Sequence, residues 1–284
     1  MVGIDLDGTL LAPSGKPSAR TINAVISARK AGIHICIATG RSYREAVIAL
    51  KDLEIPGFHV FAGGSMVIER TGIGPDDYRV AAKQAMPGNV ARTFCSVVEG
   101  LGHSVQVLQD PAQHPEGAQF DMLRSANQPM DDRERVWLAN NPVRLSTAAD
   151  LQTRDHADTV RCSCVVDSSH MFRVESAVQD ALAGRASWHV IRVPTVGVDV
   201  LECFGPGVNK WSGLQLVGKL IGVDDASIAA AGDDVNDVDM IKHAGRSFAM
   251  GNAIPAIKEL ADEIIESNSN DGIARLLESW CETR

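Results

Sequence analysis

Two aspartates near the start of the chain, Asp5 and Asp7, are separated by one residue and follow a short apolar segment. In a β-strand, residues two apart point in the same direction, so a strand that closes on Asp5 can present both carboxylates to one site. Because two unpaired carboxylates at one point repel each other, a cation, usually a metal ion, is expected between them. The segment also fits an ordinary strand-to-turn junction, where aspartate and glycine are common, so its chemistry depends on partners elsewhere.

Residues that could complete such a site follow later segments of the chain. They are Thr39 after the apolar run 33–38, Lys210 at the start of a predicted helix, and Asp233, Asn236 and Asp237 after the small-residue run 227–231. Carboxylate oxygens suit Mg²⁺, which takes a few protein ligands together with a substrate phosphate. The ammonium and hydroxyl groups suit the other phosphate oxygens, and one carboxylate is left to attack phosphorus and form an aspartyl phosphate.

The elements that must position these residues alternate between strand and helix at both ends of the chain. The first section predicts a strand ending at Asp5, a helix over 18–31, a buried strand over 33–38, a helix to about residue 53, and a strand over 58–62. From residue 208 the same alternation resumes. This pattern predicts an α/β fold with a doubly wound parallel sheet, in which ligands bind beyond the carboxyl ends of the strands.

The middle of the chain has a different character. Strands are predicted over 79–84, 104–108, 160–166, 188–193 and 197–203, with a helix starting at Pro87, a loop over 111–119 and a helix over 169–183. We interpret this section as a smaller α+β module inserted into the sheet domain. The predicted core therefore covers residues 1–80 and 195–284, and the inserted module covers 81–194; residues 128–159 show no clear pattern.

Composition restricts the partners. The net charge of −9 over 284 residues argues against a nucleic-acid binder that works by neutralising phosphates. No apolar run reaches the ~18 residues needed to span a membrane, and no basic segment precedes an apolar stretch as in a signal peptide. The six cysteines form no C-x-x-C pair, which indicates reduced, buried thiols. We expect a cytoplasmic protein that acts on a small molecule, not on nucleic acid or a membrane.

Four motifs, in this order, resemble those of the haloacid dehalogenase (HAD) superfamily phosphatases, in particular the Cof-like branch with its type IIB α/β cap. They are DLDGTL at 5–10, ATGR at 38–41, GVNK at 207–210 and GDDVNDVDM at 232–240. Two positions depart from the Cof-like pattern. Gly63 lies in a segment that lacks the usual Asn-Gly pair, and Trp211 stands where glycine is common, so its ring is expected to crowd the phosphate site or reach the cap.

The resemblance implies a role for each candidate residue. Asp5 would be the nucleophile and a metal ligand, and Asp7 the general acid and base whose backbone carbonyl also binds the metal. The remaining roles are phosphate binding by Thr39, Gly40, Lys210 and Asn236, and Mg²⁺ binding by Asp233, with Asp237 holding the metal or its waters. Arg41 fits either a substrate contact or an ordinary ion pair at a helix start.

These roles predict a Mg²⁺-dependent phosphomonoester hydrolase that acts on a small phosphorylated metabolite such as a sugar phosphate. An inserted cap of about a hundred residues favours small esters over phosphoproteins because it restricts access. A phosphotransferase or phosphomutase with the same aspartyl phosphate is one alternative, and a catalytically silent binding or regulatory module is another. The ester and the oligomeric state are left open.

Overall fold

The computed structural model describes residues 1–72, 74, 76–110, 121–140, 143–194 and 196–282, so the loop predicted over 111–119 lies outside the described residues. The strands are β1 Val2–Ile4, β2 Ile35–Ile37, β3 Gly57–Phe61, β4 Met66–Arg70, β5 Tyr78–Lys83, β6 Gln106–Gln109, β7 Met122–Ser125, β8 Leu145–Ala148, β9 Thr159–Asp167, β10 Ser187–Val193, β11 Val198–Phe204, β12 Ala229–Gly232, β13 Arg246–Ala249 and β14 Glu263–Ile264. The helices are α1 Ala19–Lys30, α2 Tyr43–Ala49, α3 Gly88–Gly100, α4 Asp132–Asn140, α5 Ser168–Leu182, α6 Lys210–Ile221, α7 Val238–His243, α8 Pro255–Leu260 and α9 Gly272–Glu282.

The chain divides into two compact units, one of Met1–Ala82 with Asn209–Arg284 and one of Lys83–Val208. The first unit is built on a parallel sheet with the strand order β14-β13-β12-β1-β2. Strand β1, which lies between β12 and β2, is buried along its whole length, as expected for a strand covered on both faces. The predicted doubly wound α/β architecture is therefore present in this unit.

The strand predicted over 58–62 differs from the expectation in its pairing. It forms β3, which pairs antiparallel with β4 in a small sheet β3-β4-β5. The short turn Ala62–Gly64 joins β3 to β4, and so short a connection permits only an antiparallel pair. An isolated parallel bridge between Ala38 and Val60 links this small sheet to the end of β2.

Two helices that begin next to candidate residues start with reciprocal caps. In α2, the Ser42 hydroxyl accepts from the Glu45 N–H and the Glu45 carboxylate accepts from the Ser42 N–H. In α6, Asn209 and Ser212 make the same exchange at 2.8 and 3.1 Å. The second cap fixes Lys210 as the first residue of its helix.

A buried histidine of β3 connects two parts of the first unit. The imidazole Nδ1 of His59 accepts from the Ile37 N–H at 3.1 Å, and Nε2 donates to the Ile55 carbonyl at 2.8 Å. Both hydrogen bonds are satisfied by the neutral ring. Burial lowers the pKa of His59 from 6.5 to about 4, because the charged ring would lie away from water.

This histidine predicts a loss of stability in mild acid. The unfolded chain binds the imidazole proton near pH 6.5 and the folded protein only near pH 4, so its contribution is complete above 6.5 and declines as the pH falls toward 4. Between about pH 7.5 and about pH 5 the loss amounts to about 2 kcal/mol. We expect urea titrations of His59→Gln to lack this part of the pH dependence. His34 is exposed, so the control variant His34→Gln should keep the pH dependence of stability seen in wild type. An equal pH dependence in wild type and His59→Gln would show that His59 is not its source.

The second unit contains a sheet with the order β10-β11-β9-β6-β7-β8, whose neighbours are antiparallel except for β7 and β8. Helices α3 and α5 share an apolar core with one face of it. The compact unit extends to Val208, past the predicted boundary at 195, because β11 pairs along its length between β10 and β9. The strand predicted over 79–84 is β5, which belongs to the small sheet of the first unit up to Ala82.

The cysteines agree with the reduced state that their spacing indicates. All six are free, and all but Cys281 are buried. Burial is also the main cause that raises the pKa of Cys36 and of Cys164 to about 12. Within the described part of the chain, no helix is both long and apolar enough for a membrane span.

Candidate active site

Three neighbouring parallel strands end at the candidate site. Asp5 follows β1, Thr39 comes two residues after β2, and Asp233 follows β12. The Asp5 N–H donates to the Ala231 carbonyl at 3.0 Å, and the Ala38 N–H donates to the Ile4 carbonyl at 2.9 Å, which keeps the strand ends aligned. The three candidate residues therefore lie along one edge of the sheet, where α/β folds bind their ligands.

Three carboxylates form the centre of the site. One oxygen from each of Asp5, Asp233 and Asp237 lies within 4.8 Å of the others. Burial, and next the Asp237 carboxylate, raises the pKa of Asp5 well above its ordinary value of 3.8. The same two causes raise the pKa of Asp233 to about 7. A set of crowded oxygen donors that carry like charges is the chemistry that a hard divalent cation such as Mg²⁺ fits.

Lys210 lies among these carboxylates. Its ammonium Nζ donates to Asp5 Oδ1 and Asp237 Oδ1, both at 2.6 Å, and to Asn236 Oδ1 at 3.1 Å. The side chain is only 1% exposed. Burial alone lowers the pKa of Lys210, but the Asp237 and Asp5 carboxylates outweigh it and raise the pKa above its ordinary value. The lysine is therefore a fixed positive charge in contact with Asp5.

Asp237 organises the loop that follows β12. Its Oδ1 accepts from Lys210, and its Oδ2 accepts from the backbone N–H groups of Asp233 at 2.8 Å and Asp234 at 3.1 Å. A Cβ atom at Gly232 would lie 2.5 Å from the Asp237 carboxyl carbon, so this close approach requires glycine. With both oxygens engaged by protein groups, Asp237 supports Lys210 and Asp233 at the same time.

Two residues that the sequence reasoning did not assign hold Asp233 in place. The Thr9 hydroxyl donates to Asp233 Oδ1 at 2.8 Å. The Asn252 amide donates to the Gly8 carbonyl at 2.8 Å and, more weakly, to Asp233 Oδ2 at 3.4 Å. Two features of the sequence could have identified these residues. Thr9 lies inside the motif at 5–10, and Asn252 follows β13, whose end lies at the same sheet edge.

Gly8 provides a sharp test of this packing. Its φ is +78°, and a Cβ atom there would lie 2.1 Å from Asp233 Oδ2. We expect Gly8→Ala to displace Asp233 and to reduce the phosphate release expected from the sequence motifs about 10²-fold, because a shift of about 1 Å in a group at a reacting centre has that order of effect. Gly15 is the matched control: its φ is +73°, and no atom of the described residues, its chain neighbours aside, lies within 4 Å of a Cβ atom at that position. Equal activities of Gly8→Ala and Gly15→Ala would contradict the packing argument.

The Asp7 carboxylate lies outside the three-carboxylate cluster. β1 ends at Ile4 and the chain enters the turn Leu6–Leu10, so the alternation of a strand no longer fixes the direction of Asp7. Its side chain is 55% exposed and forms a two-fold ion pair with Arg41, with Nη2 to Oδ1 at 2.5 Å and Nε to Oδ2 at 2.7 Å.

The turn after β2 is held by the loop that departs from the Cof-like pattern. Thr39 is buried, its hydroxyl oxygen accepts from the Arg41 N–H at 3.1 Å, and its carbonyl accepts from the Gly63 N–H at 3.0 Å. Gly40 lies between Thr39 and Arg41 in the sequence and is half-buried. The loop at Gly63 therefore supports the turn through its backbone, although it lacks the usual asparagine side chain.

Trp211 packs within the first unit. Its ring stacks on the His243 ring of α7, with centroids 6.2 Å apart and an angle of 30°. Only 8% of the residue is exposed. The indole therefore contributes to the contact between α6 and α7. The sequence analysis did not predict this contact, since it expected the ring either to crowd the phosphate site or to reach the cap.

Comparison with known proteins shows similarity over nearly the whole chain. Residues 2–277 match the model of the haloacid dehalogenase-like hydrolase family. The 5-amino-6-(5-phospho-D-ribitylamino)uracil phosphatase YitU of Bacillus subtilis strain 168 is 28% identical, over 99% of this chain and 97% of its own length. A solved haloacid dehalogenase-like hydrolase from Bacteroides thetaiotaomicron has a TM-score of 0.76 at 25% identity, over 98% of each chain. The HAD subclass IIB sugar phosphatase BT4131 has the same TM-score and coverage at 18% identity.

Proposed function

The chain belongs to the haloacid dehalogenase-like hydrolase family and is a phosphatase, and we propose that it hydrolyses the phosphate monoester of a small metabolite through an aspartyl phosphate on Asp5. The observation that carries this proposal is the buried contact of Lys210 with Asp5 and Asp237 beside the carboxylate of Asp233. A purely structural site would have little reason to crowd three carboxylates together, with Asp5 and Asp237 buried, because burial and repulsion both oppose their ionisation.

The first chemical step belongs to Asp5. One carboxylate oxygen attacks phosphorus, the bond between phosphorus and the ester oxygen breaks, and the leaving oxygen takes a proton from the Asp7 carboxyl. Lys210 keeps the Asp5 carboxylate in one orientation through the 2.6 Å bond to Oδ1. The nucleophile therefore needs little rearrangement before it reacts.

The remaining candidate residues bind the phosphoryl group and the cofactor. We assign phosphoryl oxygens to the Thr39 hydroxyl, the backbone at Gly40, the Lys210 ammonium and the Asn236 side chain. Asp5, Asp233 and the Asp7 carbonyl would hold Mg²⁺, with Asp237 behind them. When bound, the ion supplies positive charge that offsets the repulsion between Asp5 and the phosphoryl group.

The second step returns the enzyme to its starting state. Water attacks the phosphorus of the aspartyl phosphate, Asp7 accepts a proton from that water, and inorganic phosphate leaves as the Asp5 carboxylate is restored. A carboxylate at position 7 favours rapid hydrolysis over a long-lived phosphoenzyme, because it provides the base that this step needs. We therefore favour a hydrolase over a phosphotransferase.

We further propose that the second unit acts as the cap that selects the leaving group, and that the protein works in the cytoplasm, where its buried thiols stay reduced. The relative YitU is named for a phosphorylated ribityl compound. Phosphorylated sugars and sugar alcohols are accordingly the substrate classes to examine first. A ribityl phosphate and hexose phosphates of similar size form a suitable panel.

The proposal predicts a strict metal requirement. We expect phosphate release from p-nitrophenyl phosphate and from the panel to stop in EDTA and to return with excess Mg²⁺. An added sugar acceptor separates hydrolysis from phosphoryl transfer, since a hydrolase releases phosphate at the same rate with or without it. Full turnover in EDTA would overturn the metal assignment, and phosphate appearing only on the acceptor would identify a phosphotransferase.

A further inference from the structure

The ion pair between Arg41 and Asp7 has a consequence for proton transfer. Two guanidinium nitrogens engage both oxygens of the carboxylate, at 2.5 and 2.7 Å. A carboxylate held in this way has each oxygen in contact with an N–H group of the same guanidinium. Neither oxygen is free to turn toward the leaving oxygen of an ester, so the pair must open during each catalytic cycle.

Arg41 is placed to open the pair without moving its own backbone. Its N–H donates to the Thr39 hydroxyl oxygen, which fixes its main chain at the turn where the phosphoryl group is proposed to bind. The side chains of Arg41 and Asp7 are 30% and 55% exposed, so water can solvate the Asp7 carboxylate when the pair opens. Arg41 also interacts electrostatically with Asp5, which places its charge within range of the nucleophile.

A phosphate monoester competes well for this guanidinium. It carries up to two negative charges against the single charge of Asp7, and it offers paired oxygens that match the two-fold geometry of arginine. We propose that Arg41 exchanges Asp7 for the phosphoryl group of the bound ester, so that binding of the substrate's phosphate releases Asp7 for proton transfer. This inference rests on the proposed function, because it assigns a new ligand and a positioning residue to the same site.

Steady-state kinetics separate this role from a structural one. We expect Arg41→Met to raise KM for p-nitrophenyl phosphate about tenfold or more, with a smaller change in kcat because Asp7 is no longer held back. Arg41→Lys should restore only part of the affinity, since lysine lacks the two-fold geometry. Arg44→Met is the matched control, because Arg44 lies on the adjoining helix α2 and forms a looser ion pair with Asp76, at 3.6 Å. Equal KM values for the two methionine variants would overturn the proposal.

A double-mutant cycle on phosphate binding tests the exchange itself. The probe is inorganic phosphate, titrated by calorimetry into wild type, Asp7→Asn, Arg41→Met and the double variant, all with Mg²⁺. If Asp7 competes for Arg41, Asp7→Asn tightens phosphate binding several-fold more when Arg41 is present than when methionine replaces it. Simple repulsion between Asp7 and phosphate gives the opposite order, because methionine leaves that repulsion unscreened, and this result would overturn the exchange.

The outcomes also distinguish the two levels of the proposal. A wild-type protein that neither binds phosphate nor hydrolyses any ester contradicts the proposed function and this inference with it. Normal turnover that depends on Asp5, together with a cycle of the wrong sign, overturns the role of Arg41 alone. Normal turnover with the expected sign supports both.

Discussion

Replacing Asp5 with asparagine is expected to reduce phosphate release about 10³-fold or more, whichever ester is used. The amide keeps the shape of the side chain but cannot form the acyl phosphate through which we propose that the reaction proceeds. The measurement is the initial rate with p-nitrophenyl phosphate and Mg²⁺. Asp224→Asn is the control, because Asp224 is an exposed acid of the first unit and should leave the rate unchanged.

The same variant should not be destabilised, and this separates lost chemistry from lost folding. Burial, and next Asp237, raises the pKa of Asp5, so the ionised side chain costs stability at pH values above its ordinary 3.8. Asparagine removes that cost. In EDTA we expect Asp5→Asn to unfold at the same urea concentration as wild type or a higher one, with a difference that grows as the pH rises. A clear loss of stability would contradict this electrostatic description of the site.

Replacing Lys210 with methionine is expected to have the largest effect on stability. The ammonium lies within 2.6 Å of two carboxylates and is 1% exposed, so its removal leaves two buried carboxylates without the cation that they share. Loss of one member of a buried ion pair costs about 3–5 kcal/mol. We expect a fall of this order in the free energy of unfolding near pH 7, measured by urea titration, and a phosphate release rate lowered about 10²-fold or more.

The loss of stability in Lys210→Met should depend on pH in a defined direction. Lys210 lowers the pKa of Asp5, so in Lys210→Met that pKa rises further and Asp5 takes up a proton more readily. The deficit in stability should therefore shrink as the pH is lowered from about 7 toward about 5. Lys219→Met, at an exposed position of the same helix, is the matched control and should change stability by less than about 1 kcal/mol. A similar loss in the free energy of unfolding for Lys210→Met and Lys219→Met would show that the buried ion pairs of Lys210 do not stabilise the fold more than an exposed lysine does.

Much of the fold follows from local patterns in the sequence. Apolar runs without polar alternation, such as Ile35–Ile37, indicate buried parallel strands, and their pairing in the sheet confirms the α/β architecture. Because parallel strands place their carboxyl ends at one edge, the residues after β1 and β12 are brought together by topology alone. The meeting of Asp5, Asp233 and Lys210 needs only that topology and a helix that begins at Lys210.

Other features depend on contacts that no local pattern encodes. Asp132–Asn140 forms α4 although its charged residues leave little apolar periodicity, and the strand Leu145–Ala148 is only four residues long. The direction of Asp7 is set by the turn after β1 and by the guanidinium of Arg41, which is distant in sequence. The support that Asn252 gives to Gly8 joins residues 244 positions apart. Side-chain orientation at the site is therefore the part that required the structure.

The most direct test of the account is to trap and locate the phosphoenzyme. Wild type, Asp5→Asn and Asp7→Asn are mixed with ³²P-labelled p-nitrophenyl phosphate, whose leaving group departs without a proton from Asp7, and with Mg²⁺. The samples are quenched in acid and mapped by peptide mass spectrometry. The account predicts a hydroxylamine-sensitive label on the peptide that contains Asp5. This label should be transient in wild type, should accumulate in Asp7→Asn because the base for its hydrolysis is missing, and should be absent from Asp5→Asn. Label on another residue, or turnover that continues in Asp5→Asn, would contradict the account.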